Sequence, residues 1–182
     1  MNSGPSRPNQ PSSSIPFDDP ARSLTVSDAD APGQPHIGLV GDTYTILLTG
    51  KDTAGRFCLI DMYVPPGGGP PPHRHDFEET FIVLEGQIEA NFRGAKHIVP
   101  SGKTISIPAN APHQFRNASD KPARLLCICS PAGQEEFFAQ VGVPVATRTT
   151  PPRELDGKAQ AEFRAKAADL ASTFKTEFLQ HL

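Results

Sequence analysis

The sequence predicts a mainly β protein, a sandwich or barrel of about eight to nine short strands followed by helices. The first observation is a series of short runs rich in β-branched and aromatic residues between residues 43 and 130. The second is the turn signals that separate them, in a chain with 20 prolines and 15 glycines. Alternating β-α units would place a helical pattern after each strand, and none appears in this stretch.

The predicted strands share β-rich composition and end at Gly, Pro, Asn, Asp or Ser. They occupy residues 43–49, 56–64, 80–84, 87–92, 95–99, 104–107, 113–117 and 123–130. Residues 65–72, PPGGGPPP, lie between two of them. This segment is a stiff, tight connection, because proline restricts φ while glycine permits unusual dihedrals.

We expect three parts: a flexible arm at 1–35, a barrel at 36–132 and a helical extension at 133–182. The arm is rich in Pro, Ser, Asn and Asp, so it buries too little apolar surface to order by itself. A partner subunit or the barrel wall would hold it. In the extension, residues 134–141 read as a short helix ended by Gly142.

A longer helix is predicted from residue 154 to about residue 180, with Gly157 as a possible later start. One apolar stripe supports it. The stripe consists of Phe163, Ala167, Leu170, Phe174 and Phe178. The helix would pack on the outside of the barrel; the alternatives are a second subunit or the barrel mouth.

Composition excludes several classes of protein. The 182 residues suit one domain with tails, and a net charge of −3 offers no basic footprint for nucleic acid. No apolar run approaches the ~20 residues that span a bilayer. Without the apolar segment of a secretory signal, a cytoplasmic location is expected. Cys58, Cys127 and Cys129 are odd in number and set in apolar strands, which indicates buried free thiols rather than disulfides or a Cys-x-Cys metal pair.

Metal-ligand residue types concentrate in residues 67–86, GGGPPPHRHDFEETFIVLEG. His73, His75 and Glu79 share one parity, so a regular strand would point them to one face, away from Glu78. A bulge before Glu79 would reverse that choice. With His113 downstream they make three imidazoles and a carboxylate, a ligand set for a divalent transition metal. Left without partners, such buried groups would cost about 1–3 kcal/mol each.

Both stretches resemble the two motifs of the cupin family. The first matches at Gly67, His73, His75, Glu79 and Gly86, and the second at Gly102, Pro108, His113 and Asn117. Asn110 stands where the second motif has Gly, a mild departure because Asn tolerates the left-handed conformation. The resemblance, over about residues 40–130, implies a jelly-roll barrel (a double-stranded β-helix) that encloses a cavity.

The resemblance to quercetin dioxygenase-like cupins implies a metal-dependent oxygenase. Its metal would be one divalent ion (iron, manganese, nickel, cobalt or zinc) on His73, His75, Glu79 and His113. Glu79 would also accept the substrate proton, and a homodimer is expected because many cupins pair as homodimers. An isomerase or decarboxylase with the same ligands, or a non-catalytic small-molecule-binding cupin, remains the alternative.

The same parity argument outlines the substrate. Phe81, Val83 and Phe115 continue the ligand face and would line the cavity, whereas Arg74 and Arg116 alternate outward. An apolar lining favours a small, largely apolar or phenolic substrate over a phosphate or dicarboxylate. No nucleic-acid or membrane partner is expected.

Overall fold

The structure is a computed structural model that describes residues 15–39, 41–153 and 155–182. Within these ranges the protein is mainly β, as predicted, with two antiparallel sheets in a jelly-roll arrangement. The strands are β1 (His36–Leu39), β2 (Asp42–Leu48), β3 (Cys58–Val64), β4 (His73–His75), β5 (Glu78–Glu85), β6 (Gln87–Phe92), β7 (Ala95–Pro100), β8 (Thr104–Ile107), β9 (His113–Arg116), β10 (Ala123–Ser130), β11 (Val143–Val145) and β12 (Thr176–Phe178). The helices are α1 (Gly50–Thr53), α2 (Gln134–Val141) and α3 (Gly157–Ala171).

The two sheets divide the strands in an order that crosses the sequence. The seven-stranded sheet runs β11-β1-β2-β3-β10-β5-β8, and the five-stranded sheet runs β12-β4-β9-β6-β7. The strands β4 and β5, consecutive in the chain, therefore lie in different sheets. Asp76 and Phe77 carry the chain across.

The main core contains apolar side chains from both sheets. Ile60 and Leu125 come from the seven-stranded sheet and Ile88 from the five-stranded one, and all three are fully buried. Phe81 and Phe115 meet edge to face, with ring centroids 5.1 Å apart. Since each such side chain contributes about 1.5–3 kcal/mol on burial, this core is the main force that holds the sheets together.

The segment before β1 is irregular and largely exposed from residue 15 onward. It contacts α1 and the end of β2: Arg22 donates to the Asp52 carbonyl at 2.8 Å, and Ser27 donates to the Leu47 carbonyl at 2.5 Å. The described part of the predicted arm is thus tethered by hydrogen bonds to its own chain. The rest of that prediction, residues 1–14, lies outside the described residues.

The helix α2 has the predicted bounds and ends at Gly142. It packs on the barrel through Phe137 and Phe138, both buried; the Phe138 ring lies 5.0 Å from that of Tyr44. The next segment supplies β11, which pairs with β1.

The prediction of one helix to about residue 180 is wrong beyond α3. Asp156 caps the start of α3 by accepting from the Ala159 N–H at 2.9 Å, in agreement with a late start. After α3 the chain turns at Lys175, whose φ is +53°, and continues as β12 paired with β4. The edge of β4 supplies backbone hydrogen-bond partners that a continued helix would leave unused.

The predicted apolar stripe divides at this turn. Ala167 is buried, and Phe163, Leu170 and Phe174 pack against the core, so α3 covers the outside of the barrel. Phe178 instead lies on β12 and is 38% exposed. Among the described helices, none has the length and apolar character required to cross a membrane.

Candidate metal centre

The five-stranded sheet supplies all three imidazoles of the site. In β4, His73 and His75 are buried while Arg74 between them is exposed, as strand alternation requires. On the neighbouring strand β9, His113 lies directly opposite His73. The connection before β4 packs tightly on β9, because a Cβ on Gly69 (φ +127°) would overlap the Phe115 carbonyl.

The seven-stranded sheet supplies the carboxylate. Glu79, the second residue of β5, is 4% exposed. Its neighbour Glu78 is exposed and accepts a hydrogen bond from the Ala109 N–H at 3.2 Å. Asp76, in the crossing between sheets, is also exposed. The inward carboxylate is thus the one that parity selected.

The turn before β9 holds β4 in place. Asn110 has a φ of +66°, the left-handed conformation expected of the residue that replaces Gly. Its backbone N–H donates to the His75 carbonyl at 2.7 Å. The second motif therefore binds the backbone of the first besides contributing His113.

One oxygen of Glu79 faces two imidazoles. Its Oε2 lies 3.2 Å from His75 Nε2 and 3.1 Å from His113 Nε2. The ring centroids of His73 and His113 are 4.3 Å apart. One potential ligand atom from each of the four residues lies within 4.8 Å of the other three. All four residues are buried, so the structure brings together the full predicted ligand set.

The other ring nitrogen of each histidine contacts a backbone carbonyl. The Nδ1 atoms of His73, His75 and His113 lie 2.9 Å from the carbonyl oxygens of residues 71, 77 and 111 respectively. A carbonyl only accepts, so each Nδ1 carries the proton and a neutral ring keeps its Nε2 lone pair. When the ring is neutral, its Nε2 lone pair repels the facing carboxylate oxygen; when the ring is protonated, Nε2–H donates to that oxygen. A cation bound between these atoms removes the repulsion, so the donor set fits a divalent metal.

The electrostatics of the site favour an ionised carboxylate. Burial by itself would raise the pKa of Glu79, but the adjacent His113 and His75 lower it below its usual value. Burial lowers the pKa of His73 to about 4, aided by repulsion from His113. Burial also lowers the pKa of His113, but its contact with Glu79 raises it more, to a value above normal.

Two thiols lie on the opposite side of Glu79, a feature that sequence reasoning missed. Cys127 Sγ is 3.3 Å from Glu79 Oε1, Cys129 Sγ is 3.9 Å from it, and the two sulfurs are 3.6 Å apart. All three cysteines are free and buried, as predicted. The available signal was the shared parity of Cys127 and Cys129, which points both to one face of a strand.

The predicted substrate-lining residues and two further histidines lie outside the group of four potential ligands. Phe81, Val83 and Phe115 are buried members of the hydrophobic core. His97 is exposed, and His36 Nδ1 lies 2.7 Å from the Thr45 hydroxyl in the seven-stranded sheet. Neither histidine belongs to the metal-ligand group.

Comparisons with known proteins agree with this architecture. Residues 60–129 match the family model described as Cupin_2: Cupin domain. The chain is 31% identical over 108 residues to Quercetin 2,3-dioxygenase of Bacillus subtilis, and 33% identical over 104 residues to Polyketide synthase CurC of Streptomyces cyaneus. These matches cover 58% and 56% of this chain, but only 32% and 66% of the relatives, less than two thirds of either.

A solved structure shows the same fold. An RmlC-like cupin from Shewanella frigidimarina superposes with a TM-score of 0.50 at 18% identity, over 62% of this chain and 99% of that one. At this identity the likeness concerns the fold alone. With both motifs inside the matched region and the imidazoles gathered against Glu79, residues 60–129 form a cupin domain.

Proposed function

We propose that this cupin is a metal-dependent oxygenase that acts on a small, largely apolar or phenolic substrate at a His3Glu centre. The observation that carries the proposal is the buried Glu79 oxygen shared by two imidazole Nε2 atoms. The similarity to a protein named Quercetin 2,3-dioxygenase supports oxygenase chemistry. The ligand set accepts iron, manganese, nickel, cobalt or zinc.

The residues of the site would have two roles, metal binding and proton transfer. Hydrogen bonds from Nδ1 to backbone carbonyls orient His73, His75 and His113. A divalent ion bound by these three and Glu79 would polarise a substrate oxygen as a Lewis acid. Glu79, held ionised by its neighbours, is the group that can accept the substrate's proton.

Apolar side chains beside the ligands support the substrate class. Phe81 follows Glu79 by two positions on β5, and Phe115 follows His113 by two on β9. With Val83 they would line the substrate position, exclude water and pack against a flat ring.

Nearby cations are paired away from the site. Arg74 bonds Glu177 at the exposed surface, and Arg124 donates to the buried Asp61 at 2.7 Å. Neither of these two arginines is therefore placed to anchor a phosphate or dicarboxylate at the imidazoles.

The test joins metal analysis to oxygen uptake. Protein purified without added metal is analysed for bound elements and then supplied with a panel of phenols under air. We expect at least one divalent ion per chain and oxygen consumption that is lost in Glu79→Gln and kept in Glu78→Gln. Turnover unchanged under anaerobic conditions would indicate an isomerase or decarboxylase, and phenol binding without turnover would indicate a binding protein.

We also propose a homodimer in a cytoplasmic location. Phe17, Leu24 and Val26, in the segment before β1, are 98%, 90% and 87% exposed, which is apolar surface that a second copy would cover. The three free thiols support a reducing compartment. A monomer in light scattering at micromolar concentration would contradict the dimer.

A further inference from the structure

The thiol side of Glu79 contains a second set of metal-binding atoms. It consists of Glu79 Oε1, Cys127 Sγ and Cys129 Sγ, which lie within 4.8 Å of one another and are separate from the imidazole nitrogens. Both cysteines are 0% exposed. The proposed oxygenase reaction uses none of the thiols, so their position against a carboxylate oxygen has no role in it.

The strand register explains why the group forms. Cys129 lies directly opposite Glu79 across the β10–β5 pairing, and Cys127 lies opposite Phe81. Strand alternation then points both sulfurs to the face that Glu79 occupies. Because β10 is flanked by β3 and β5 within the sheet, the three donor atoms are held by regular backbone hydrogen bonding rather than by a loop.

The spacing of these atoms fits a tetrahedral thiolate site. With Zn–S near 2.3 Å and Zn–O near 2.1 Å, a tetrahedron has a sulfur–sulfur edge of about 3.8 Å and a sulfur–oxygen edge of about 3.6 Å. The observed sulfur–sulfur distance is 3.6 Å, and the two sulfur–oxygen distances are 3.3 and 3.9 Å. Small side-chain adjustments would bring the three donors onto one ion, with a fourth position left for water.

Charge also favours a divalent ion over bare thiolates. Two thiolates buried beside an ionised Glu79 would place like charges together in the core, which is costly. A divalent ion on two thiolates adds no net charge to that interior. Each thiol would release its proton to solvent as its bond to the ion forms. Thiolate ligands select soft, thiophilic ions, whereas the imidazole side accepts borderline ones.

We propose that Cys127, Cys129 and Glu79 Oε1 form a second metal site for a thiophilic divalent ion such as Zn²⁺ or Cd²⁺, with Glu79 bridging it to the His3Glu centre. The thiols are 0% exposed and the imidazoles between 2% and 8% exposed, so both sites are buried and the thiols are slightly more enclosed. Glu79, with one oxygen toward each side, lies between the two sites. The second site requires no catalytic activity at the first.

The experiment titrates metal-free, full-length protein with ¹¹³Cd²⁺ and follows it by cadmium NMR and ultraviolet absorption. We expect two equivalents per chain: one with nitrogen and oxygen ligands, and one shifted downfield by sulfur and accompanied by a thiolate-to-cadmium absorption band. The double variant Cys127→Ser/Cys129→Ser should bind one equivalent and lose the downfield resonance and the band. Ile128→Thr, which changes the residue between the two cysteines on the opposite face of β10, should keep both resonances.

Each result separates the two sites. Wild-type protein with only the nitrogen/oxygen resonance would overturn the thiol site and leave the His3Glu centre in place. A downfield resonance that persists in the double variant would also overturn it. Wild-type protein with only the downfield resonance would support the thiol site while removing the basis of the proposed oxygenase. The wild-type spectrum decides the question even if the double variant does not fold.

Discussion

The two sheets of this cupin bring different chemistry to one place. The five-stranded sheet contributes the three imidazoles, on β4 and β9, whereas the seven-stranded sheet contributes the Glu79 carboxylate on β5 and the thiols on β10. Neither sheet alone holds the complete ligand set. A metal bound by all four predicted ligands would therefore connect the sheets, and its affinity and the stability of the barrel would depend on each other.

The largest expected effect on metal binding comes from removing a ligand that one of the sheets supplies. His113→Ala deletes a ligand of the five-stranded sheet and Glu79→Ala deletes that of the seven-stranded sheet. Each should weaken metal binding more than about 100-fold, since loss of an outer hydrogen-bond partner alone costs 10–100-fold. Elemental analysis after dialysis measures retention.

The control for this pair is Glu78→Ala, which changes the exposed neighbour on β5 and should leave retention nearly intact. Full retention in Glu79→Ala would mean that the five-stranded sheet binds the ion by itself. The division between the sheets would then have no functional meaning.

Metal removal tests whether the ion connects the sheets. At free metal about 1,000-fold above Kd, binding adds about 4 kcal/mol to the free energy of unfolding. Chelation should lower the stability of wild-type protein by about that amount and leave His113→Ala unchanged. Urea unfolding with and without chelator measures the difference, and equal losses in both proteins would contradict a stabilising ion at this site.

Two histidines of the five-stranded sheet should give the metal-free protein a stability maximum near pH 6.5. The raised pKa of His113 contributes stability that is full below its unfolded value and lost as the pH rises above it. The pKa of His73, lowered to about 4, has the opposite effect. Between pH 6.5 and 4 the unfolded chain binds a proton at His73 that the folded chain does not, which costs up to about 3 kcal/mol.

Two variants test which histidine causes the loss of stability on each side of this maximum. In the presence of chelator, His73→Gln should flatten the decline between pH 6.5 and 4.5, and His113→Gln should flatten the decline above pH 6.5. Below about pH 4.5, protonation of Glu79 adds a further loss, because its pKa is lowered in the folded protein. Thermal unfolding across pH measures these slopes, and an unchanged profile in both variants would refute the assignment.

Asn117 tests a link between the sheets that involves no metal. It is fully buried after β9, and its side-chain amide donates to the Val64 carbonyl on β3 at 2.9 Å and to the Lys121 carbonyl at 2.7 Å. Asn117→Ala leaves these carbonyls without that donor, so we expect a loss of about 2 kcal/mol in urea unfolding. The control is Asn91→Ala, because Asn91 Oδ1 has no hydrogen-bond partner. Equal losses in both variants would argue against the link.

The smallest effect concerns Asn110, whose left-handed turn binds β4. Asn110→Ala should lower the free energy of unfolding by about 1 kcal/mol. Alanine is disfavoured at positive φ because it has a Cβ but no side chain that can hydrogen-bond to the nearby backbone, as Asn does. Asn110→Gly should match wild type in both stability and metal affinity. A stable Asn110→Ala would show that this turn does not hold the five-stranded side of the site.

Sequence patterns predicted the fold class and the candidate ligands because both depend on local spacing. The parity argument placed Glu79 inside, although it assumed a regular strand from His73 through Glu79. The structure instead divides this stretch between β4 and β5 in different sheets, and the two crossing residues, Asp76 and Phe77, preserve the inward direction. The inward direction of Glu79 was therefore predicted correctly, although the change of sheet between β4 and β5 was not.

Features that depend on long-range pairing were not predictable in the same way. The end of α3 follows from the edge of β4, about 100 residues earlier in the chain, with which β12 pairs. The contact of Cys127 with Glu79 follows from the β10–β5 register, which no local pattern of Cys-x-Cys contains. Local periodicity identifies a strand's faces but not its neighbours.

Because β12 pairs with β4, hydrogen exchange in the C-terminal segment should report whether the metal centre is occupied. One hydrogen bond lies at each end of β4. The Asp76 N–H donates to the Lys175 carbonyl at 2.9 Å, and the Leu179 N–H donates to the Pro72 carbonyl at 2.8 Å. An ion that immobilises His73 and His75 would slow deuterium uptake at these amides. Mass spectrometry of the C-terminal peptide would then report occupancy without any knowledge of the substrate.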